Sequence, residues 1–234
     1  MATAAAPARA LLPPGRTGPA LIAHGAGNTV AAARDAVGVA ADYVEVDLWV
    51  HRGRFEARHE RRTVFPLPFL FEKWYVRFAP LRPFGLAELL KATAGKVGIF
   101  LDLKNGGETT AQLVRRSLDE AGGERQLVAS SQTWGVLRAL AATAPEVALF
   151  YSIDVQAKLD LFLSVSDRDL RPTGVSCRES LLSPRVIREL KERGLLVVAW
   201  TVDDERRAVE LAGLGVDGIT THRVAAVRAA LTAT

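Results

Sequence analysis

The chain has 234 residues, 49% of them hydrophobic and 24% charged, and this length accommodates one large domain or two small ones. The composition is that of a globular protein with a sizeable core, which excludes a disordered chain and a coiled coil. The net charge of +4 arises from arginines that alternate with acidic residues. That alternation is typical of solvated helix faces and argues against a general nucleic-acid-binding protein, while attraction to phosphate at one site stays open.

Cysteine content and the N-terminal segment bear on location. The chain has a single cysteine, Cys177, which excludes an intrachain disulfide and a thiolate metal site and favours a reducing compartment. We therefore expect a cytoplasmic protein. Residues 1–18 are rich in Ala and Pro, and no apolar run long enough for a signal peptide develops there. We expect 1–18 to be a flexible tail, 19–234 to be one domain, and no segment to span a membrane.

Short β-rich runs alternate with segments of helical spacing along the chain. Eight strands that alternate with helices predict an α/β fold in which a parallel sheet closes into a (β/α)₈ TIM barrel. The predicted strands are 19–24, 42–50, 96–104, 125–130, 146–152, 172–177, 194–202 and 215–221. The predicted helices are 28–40, 86–95, 108–122, 134–144, 183–194 and 204–215.

A long segment after the second predicted strand departs from this rhythm. Residues 60–85 have no clean period and contain five of the nine Phe residues, together with Trp74 and Tyr75. Basic residues among these aromatics suit a phospholipid headgroup with its apolar neighbour. The alternatives are a lid over a lipid-like substrate, a transient membrane-surface contact, a subunit interface, or ordinary packing against the barrel rim.

Polar residues collect at the ends of the first three predicted strands. His24 ends the first strand, Glu45 and Asp47 lie two apart on the second, and Asp102 and Lys104 lie two apart at the end of the third. Residues two apart on a strand point to the same side, and TIM-barrel active sites form at the C-terminal ends of the strands. A hairpin after the second strand carries a further histidine to this edge. Three carboxylates without a thiol favour a hard divalent cation such as Mg²⁺ or Ca²⁺.

Six motifs in chain order carry a resemblance to a known family. They are IAHGAGNT at 22–29, YVEVDLWV at 43–50, ARHE at 57–60, FLDLK at 100–104, and VVAWTVDD at 197–204 with GVDGITT at 215–221. From about residue 20 onward the sequence resembles the glycerophosphodiester phosphodiesterase family. That family belongs to the phospholipase C-like phosphodiesterase TIM barrels, which include sphingomyelinase D.

The resemblance implies an enzyme that hydrolyses glycerophosphodiesters to an alcohol and glycerol phosphate, with a divalent metal ion and two histidines as general acid and base. This fits the chemistry, because phosphodiester cleavage needs charge neutralisation at the phosphate, an activated nucleophile and a protonated leaving group. Carried over by position, the resemblance implies catalysis by His24 and His59, metal ligation by Glu45, Asp47 and Asp102, phosphate contact by Lys104, and a pocket-lining role for Trp200.

Departures from the family pattern leave the substrate open. Gly25 stands where the family usually has an arginine, and DLK at 102–104 is similar to the sphingomyelinase D branch. The alternatives are a lysophospholipase D or sphingomyelinase D-like phospholipid phosphodiesterase, and a catalytically silent barrel that binds an anionic phospholipid. His51 and His222 are expected to be a hairpin residue and a helix-start residue without catalytic roles. The oligomeric state is not predicted.

Overall fold

The computed structural model describes residues 11–12, 15–62, 69–72, 75–79, 84–93, 95–123, 126–165 and 172–233. None of the helices in these ranges is long and apolar enough to cross a membrane. The strands are β1 (Ala20–Ala23), β2 (Tyr43–His51), β3 (Arg54–Ala57), β4 (Arg61–Arg62), β5 (Phe69–Glu72), β6 (Tyr75–Phe78), β7 (Gly98–Leu103), β8 (Leu127–Ser131), β9 (Ala148–Ile153), β10 (Gly174–Arg178), β11 (Leu196–Trp200) and β12 (Gly218–Thr221). The helices are α1 (Val30–Gly38), α2 (Leu86–Thr93), α3 (Glu108–Ala121), α4 (Trp134–Thr143), α5 (Gln156–Val165), α6 (Pro184–Glu192), α7 (Glu205–Gly213) and α8 (Val224–Thr232).

Eight parallel strands close into a barrel. Their spatial order is β1, β2, β7, β8, β9, β10, β11 and β12, and β12 pairs in turn with β1. A helix follows each of these strands before the next one begins, so the predicted TIM barrel is confirmed. The sequence patterns did not indicate α5 and α8. In α5 the apolar residues are spread around the helix instead of forming a clear stripe.

Side-chain alternation along the strands divides the apolar residues into two cores. Tyr43, Phe100 and Phe150, from three different strands, pack together inside the barrel. Val44 and Val46 belong to the larger cluster that lies between the strands and the surrounding helices. Because alternate residues of a strand share a face, the acids of β2 lie on the same side as Tyr43, towards the barrel axis.

The end of the barrel opposite the predicted site is filled by Tyr43. The Tyr43 hydroxyl donates a hydrogen bond to the carbonyl oxygen of Leu11 at 2.8 Å, and Leu11 is buried. On the neighbouring strand only glycine leaves room for the tyrosine ring, because a Cβ at Gly98 would lie 2.4 Å from it. The predicted tail boundary at residue 18 stays a prediction, although Leu11 within that segment contacts the barrel.

The segment 60–85 forms a small sheet of its own where it is described. The strands β4, β5 and β6 pair in antiparallel fashion, and Val76 and Phe78 of β6 are among its exposed apolar residues. Trp74 and the rest of 63–68, 73–74 and 80–83 lie outside the described residues. The role of this segment as a lid, membrane contact or interface stays a prediction.

Candidate active site

The C-terminal ends of the barrel strands surround a cavity of about 170 Å³. Residues from β1, β2, β7 and β11 and from the hairpin after β2 line it, as expected for a TIM-barrel site. Asp47 lies in the acidic cluster at this cavity. The other residues predicted from the sequence line the wall: His24, Glu45, His59, Asp102, Lys104 and Trp200.

The three predicted metal ligands form one acidic cluster. Glu45, Asp47 and Asp102 each place a carboxylate oxygen within 4.8 Å of the others. Asp47 and Asp102 stand side by side because β2 and β7 pair in parallel with these two residues in register. Burial, together with the charges of Asp47 and Asp102, raises the pKa of Glu45 well above its usual value. Burial also raises the pKa of Asp102.

Lys104 supplies a fixed positive charge to this cluster. Its Nζ lies 2.6 Å from Asp47 Oδ1 and 2.5 Å from Asp102 Oδ2. Burial disfavours the charged ammonium, yet the two carboxylates outweigh it and raise the pKa of Lys104. Burial would likewise raise the pKa of Asp47, but Lys104 and the Asn28 side chain lower it. Lys104 therefore stays charged and Asp47 ionised at neutral pH.

The donor set fits a hard divalent cation. All three ligand groups are carboxylates, and carboxylate oxygens are the ligands that Mg²⁺ and Ca²⁺ prefer. Asp47 Oδ1 is buried and faces the Lys104 ammonium at 2.6 Å, so it already lies against a positive charge. A cation placed among the three carboxylates would share this oxygen with Lys104.

The turn after β1 orients two of the acids. Gly25, in the left-handed conformation with φ 64°, donates its backbone N–H to Glu45 Oε2 at 2.5 Å. The Asn28 side chain donates to Asp47 Oδ2 at 2.7 Å and accepts from the Asp47 backbone N–H at 3.0 Å. Asn28 was missed as a site residue, although it lies in the motif that follows His24. Groups that hold metal-ligating side chains in place matter for metal affinity.

His59 reaches the cavity from the hairpin formed by β2 and β3. The hairpin is held to the barrel by the Arg58 backbone N–H, which donates to the Asp47 carbonyl oxygen at 3.0 Å. Buried Glu56 pairs with Arg58 at 2.9 Å and so fixes the residue before His59. The His59 Nδ1 lies 2.5 Å from Glu72 Oε2 of β5. This contact fixes the ring and leaves Nε2 free for proton transfer.

His24, which follows β1, is held by a residue from the C-terminal part of the chain. Its Nδ1 lies 3.2 Å from the hydroxyl of Thr201, which follows β11. Burial and the neighbouring His222 lower the pKa of His24 to about 4. His24 is therefore neutral at pH 7, which is the form of an imidazole that has a lone pair to accept a proton.

His222 was expected to have no role, yet it contacts a predicted catalytic residue. The His222 and His24 ring centroids are 4.4 Å apart. The signal that could have found His222 is the one that pointed to His24, a polar residue directly after a predicted strand. His51 lies at the far end of the β2–β3 hairpin, and it is not among the residues that line the cavity.

The rest of the cavity wall is rich in hydroxyl groups. Ser130, Ser152, Ser176 and Thr220 come from β8, β9, β10 and β12 and line the cavity. All four are buried in the barrel mouth. Phe100 and Trp200 add apolar surface. The cavity therefore pairs an acidic side with a side of small hydrogen-bonding groups.

These features together define a phosphodiesterase-type TIM barrel, and comparison with known proteins identifies the family. The family model of the glycerophosphoryl diester phosphodiesterases matches residues 99–226, more than half of the chain. The chain therefore belongs to the glycerophosphoryl diester phosphodiesterase family. The enzyme class predicted from the sequence, a phosphoric diester hydrolase, is confirmed with it. No match is found among curated protein sequences.

Solved structures agree with the fold. A phosphodiesterase from Oleispira antarctica, in complex with its product sn-glycerol-3-phosphate, has a TM-score of 0.74 at 19% identity, over 92% of this chain and 97% of that chain. A glycerophosphodiester phosphodiesterase from Parabacteroides distasonis has a TM-score of 0.73 at 18% identity, over 94% and 99%. One from Agrobacterium tumefaciens has a TM-score of 0.63 at 20% identity, over 92% and 100%. At these identities the likeness concerns the barrel fold.

Proposed function

We propose that the protein is a metal-dependent phosphodiesterase that hydrolyses glycerophosphodiesters to an alcohol and glycerol phosphate. The observation that carries this proposal is the meeting of three carboxylates and two anchored imidazoles at one cavity of about 170 Å³. A barrel that only binds a phospholipid would not need an acid–base pair. Membership of the family supports the same reaction class.

In the proposed reaction, His24 and His59 exchange protons with the nucleophile and the leaving group. Neutral His24 removes a proton from the nucleophile, either water or a hydroxyl group of the substrate, as its oxygen attacks phosphorus. The bond from phosphorus to the leaving oxygen breaks, and His59 delivers a proton to that oxygen so that a neutral alcohol departs. In this step His59 carries a proton on both nitrogens, with Nδ1–H facing Glu72; the Nε2 proton goes to the leaving oxygen, and His59 is left as the neutral Nδ1–H tautomer.

The metal site in this proposal consists of Glu45, Asp47 and Asp102. A bound divalent ion, Mg²⁺ or Ca²⁺, would supply Lewis-acid stabilisation of the charge on the phosphate. Lys104 bridges Asp47 and Asp102 and offsets part of their mutual repulsion. We propose that the Lys104 ammonium also contacts an anionic oxygen of the substrate, because it lines the cavity beside the acids.

The hydroxyl-rich wall supports a small polar substrate. Serine and threonine hydroxyls donate and accept hydrogen bonds, and a glycerol moiety presents the matching groups. The cavity volume of about 170 Å³ suits a glycerol phosphate and is too small for an acyl chain as well. Trp200 would pack against the apolar edge of the glycerol moiety. We propose a cytoplasmic location, because a single cysteine suits a reducing compartment, and a role in lipid metabolism, because the family acts on glycerophosphodiesters.

One observation favours the alternative, a lysophospholipase D or sphingomyelinase D-like activity. The small sheet that supplies Glu72 to His59 also exposes Tyr75, Val76 and Phe78. An acyl chain of a lysophospholipid could lie along this apolar surface outside the cavity, and basic residues such as Arg61 would face a membrane surface.

Hydrolysis assays on matched substrates test both functions. Glycerophosphocholine and lysophosphatidylcholine share a headgroup and differ in the acyl chain, so each is assayed with Mg²⁺, with Ca²⁺ and with a chelator. We expect metal-dependent turnover of glycerophosphocholine at the higher kcat/KM. A higher kcat/KM for lysophosphatidylcholine would favour the alternative. If neither substrate is hydrolysed with Mg²⁺ or with Ca²⁺, both enzyme proposals fail, and the remaining hypothesis is a barrel that binds an anionic phospholipid without catalysis.

A further inference from the structure

His222 lies beside the predicted acid–base residue His24 although the two belong to opposite ends of the chain. Barrel closure brings them together, because β1 and β12 pair in parallel with Ala23 opposite Thr221. The His24 backbone N–H donates to the Thr221 carbonyl oxygen at 3.0 Å, and the two imidazole centroids are 4.4 Å apart with planes inclined at 41°. The side chain of His24 is thus flanked by an imidazole on one side.

Asp203 holds His222 in a fixed orientation. The His222 Nδ1 lies 2.8 Å from Asp203 Oδ2, and the His222 backbone N–H donates to Asp203 Oδ1 at 2.8 Å. The Thr221 hydroxyl donates to the same Oδ1 at 2.9 Å, and Arg223 donates to the Asp203 carbonyl oxygen at 3.1 Å. These four contacts join the loops after β11 and β12. Because the imidazole and the backbone N–H of His222 both contact the Asp203 carboxylate, the ring is held in one orientation before substrate binds.

Charged groups on four sides act on His24. Asp47 of β2 favours the protonated imidazole, while His59 after β3, Lys104 after β7 and His222 after β12 disfavour it. After burial, His222 is the largest of these influences, and together they lower the pKa of His24 to about 4. Glu45, also on β2, faces the same cavity. The ring contact and this charge effect have the same source, the proximity of the two imidazoles.

We propose that His222 is a positioning residue of this active site, locked by Asp203 so that its ring fixes the plane of the His24 imidazole. The inference rests on the proposed function for the role of His24, but the contact itself does not depend on any substrate. The proposal predicts that a substitution at His222 changes the orientation and titration of the His24 imidazole and has little effect on substrate binding.

Kinetics of three variants test the consequence for turnover. For His222→Ala we expect kcat for glycerophosphocholine with Mg²⁺ to fall about 10–100-fold with KM changed by less than about 3-fold, because a misplaced acid–base group slows the chemical step. The acid limb of the pH profile should move to higher pH, since His24 loses a neighbour that disfavours its protonation. His222→Asn can keep a donor to Asp203 and should restore the stability of the loops but not the pH profile. His51→Ala, a histidine outside the site, should match the wild type.

A second measurement does not depend on activity. The chain has four histidines, so the imidazole resonances of the labelled protein can be assigned by single variants and titrated by NMR. We expect the His24 midpoint to rise in His222→Asn and to stay unchanged in His51→Ala. An unchanged His24 titration curve together with unchanged kcat in folded His222→Asn would overturn the inference. Absence of turnover in the wild type with a shifted His24 midpoint would instead reject the proposed function and keep the contact.

Discussion

Three imidazoles at the barrel mouth are anchored through Nδ1, but by different partners. Carboxylates hold His59 and His222, through Glu72 and Asp203, whereas a threonine hydroxyl holds His24. A carboxylate fixes the Nδ1–H tautomer. His24, more buried than the other two and anchored by a neutral group, has its pKa lowered to about 4. The environments of the three rings therefore differ: His24 is anchored by a neutral hydroxyl, whereas His59 and His222 are each anchored by a carboxylate.

The first prediction at this scale concerns His24. We expect His24→Ala to lower kcat at least about 10²-fold, because general acid–base groups contribute about 10²–10⁴-fold to rate. The melting temperature should change little, since among the described residues the His24 side chain makes one hydrogen bond, to Thr201, and one ring contact, with His222. Steady-state kinetics and thermal unfolding measure the two effects. Unchanged kcat in a folded variant would reject the assigned role.

The second prediction concerns Asn28, which holds Asp47 from both sides. Asn28→Ala should weaken binding of Mg²⁺ about 10–100-fold, as expected for loss of a group that orients a metal ligand. Isothermal titration calorimetry measures the affinity. Thr29→Ala is the matched control, because the Thr29 hydroxyl caps α1 by accepting from the Ala32 N–H at 3.2 Å. It should cost about 1 kcal/mol of stability and leave the affinity unchanged.

At the scale of elements, the turn after β1 lies directly against β2. A Cβ at Gly27 would lie 2.6 Å from the Val46 Cβ and 2.8 Å from the Glu45 carbonyl oxygen. No side chain fits between the turn and the strand that carries the acids. The close approach lets Gly25 and Asn28 reach those acids, so this turn and β2 act as one unit of the site.

Gly27→Ala should therefore separate the turn from β2. We expect a loss of about 1–3 kcal/mol in the free energy of unfolding, typical of overpacking, with weaker metal binding. Gly38→Ala is the matched control, since Gly38 ends α1 with nothing within 4 Å of an added Cβ. That change should leave stability equal or raise it by about 0.5–1 kcal/mol. Chemical denaturation of both variants gives the comparison, and equal stabilities would contradict the predicted clash.

A buried acid, Glu60, joins the start of the 60–85 segment to β6 of its small sheet. Glu60 Oε1 accepts from Arg77 Nε at 2.6 Å and from the Tyr75 hydroxyl at 3.0 Å. Burial would raise the pKa of Glu60, but these partners hold it at about 2, below its ordinary 4.5. The folded state thus binds the proton less readily than the unfolded state, and the stabilisation is complete above about pH 4.5 and lost as pH falls towards 2.

Glu60→Gln should remove this pH dependence. The difference in unfolding free energy between the wild type and Glu60→Gln should be largest at pH 7 and should shrink between pH 4.5 and pH 2. Urea denaturation of both proteins between pH 2 and pH 7 measures this difference in unfolding free energy. A difference that stays constant with pH would show that the Glu60 carboxylate is not the group responsible.

At the scale of the whole molecule, the three acids at the barrel mouth lower the stability of the folded state, because their negative charges repel one another when no cation is bound. Lys104 offsets part of that cost. A divalent ion that binds only the folded protein should add about 2.7 kcal/mol at 100 times its Kd. We expect Mg²⁺ or Ca²⁺ to raise the melting temperature and a chelator to reverse the rise. Asp47→Asn should abolish the shift, and an equal shift in that variant would place the ion elsewhere.

Much of the site could be predicted because strand periodicity is a local property. Glu45 and Asp47 share a face by their spacing alone, and the same holds for Asp102 and Lys104. The contacts between these pairs depend on the register of β2 against β7, which places Asp47 beside Asp102. The sequence could predict that the pairs meet at one edge, but not that Lys104 lies between two acids.

The sequence by itself determined the eight strands, their inward and outward faces and the residues at their ends, because each follows from spacing within a few neighbours. Tertiary structure alone decided which distant groups meet. Closure of β12 onto β1 brings His222 against His24, and the folding back of β5 brings Glu72 to His59. Such contacts depend on the relative placement of segments far apart in the chain, and no local pattern encodes that placement.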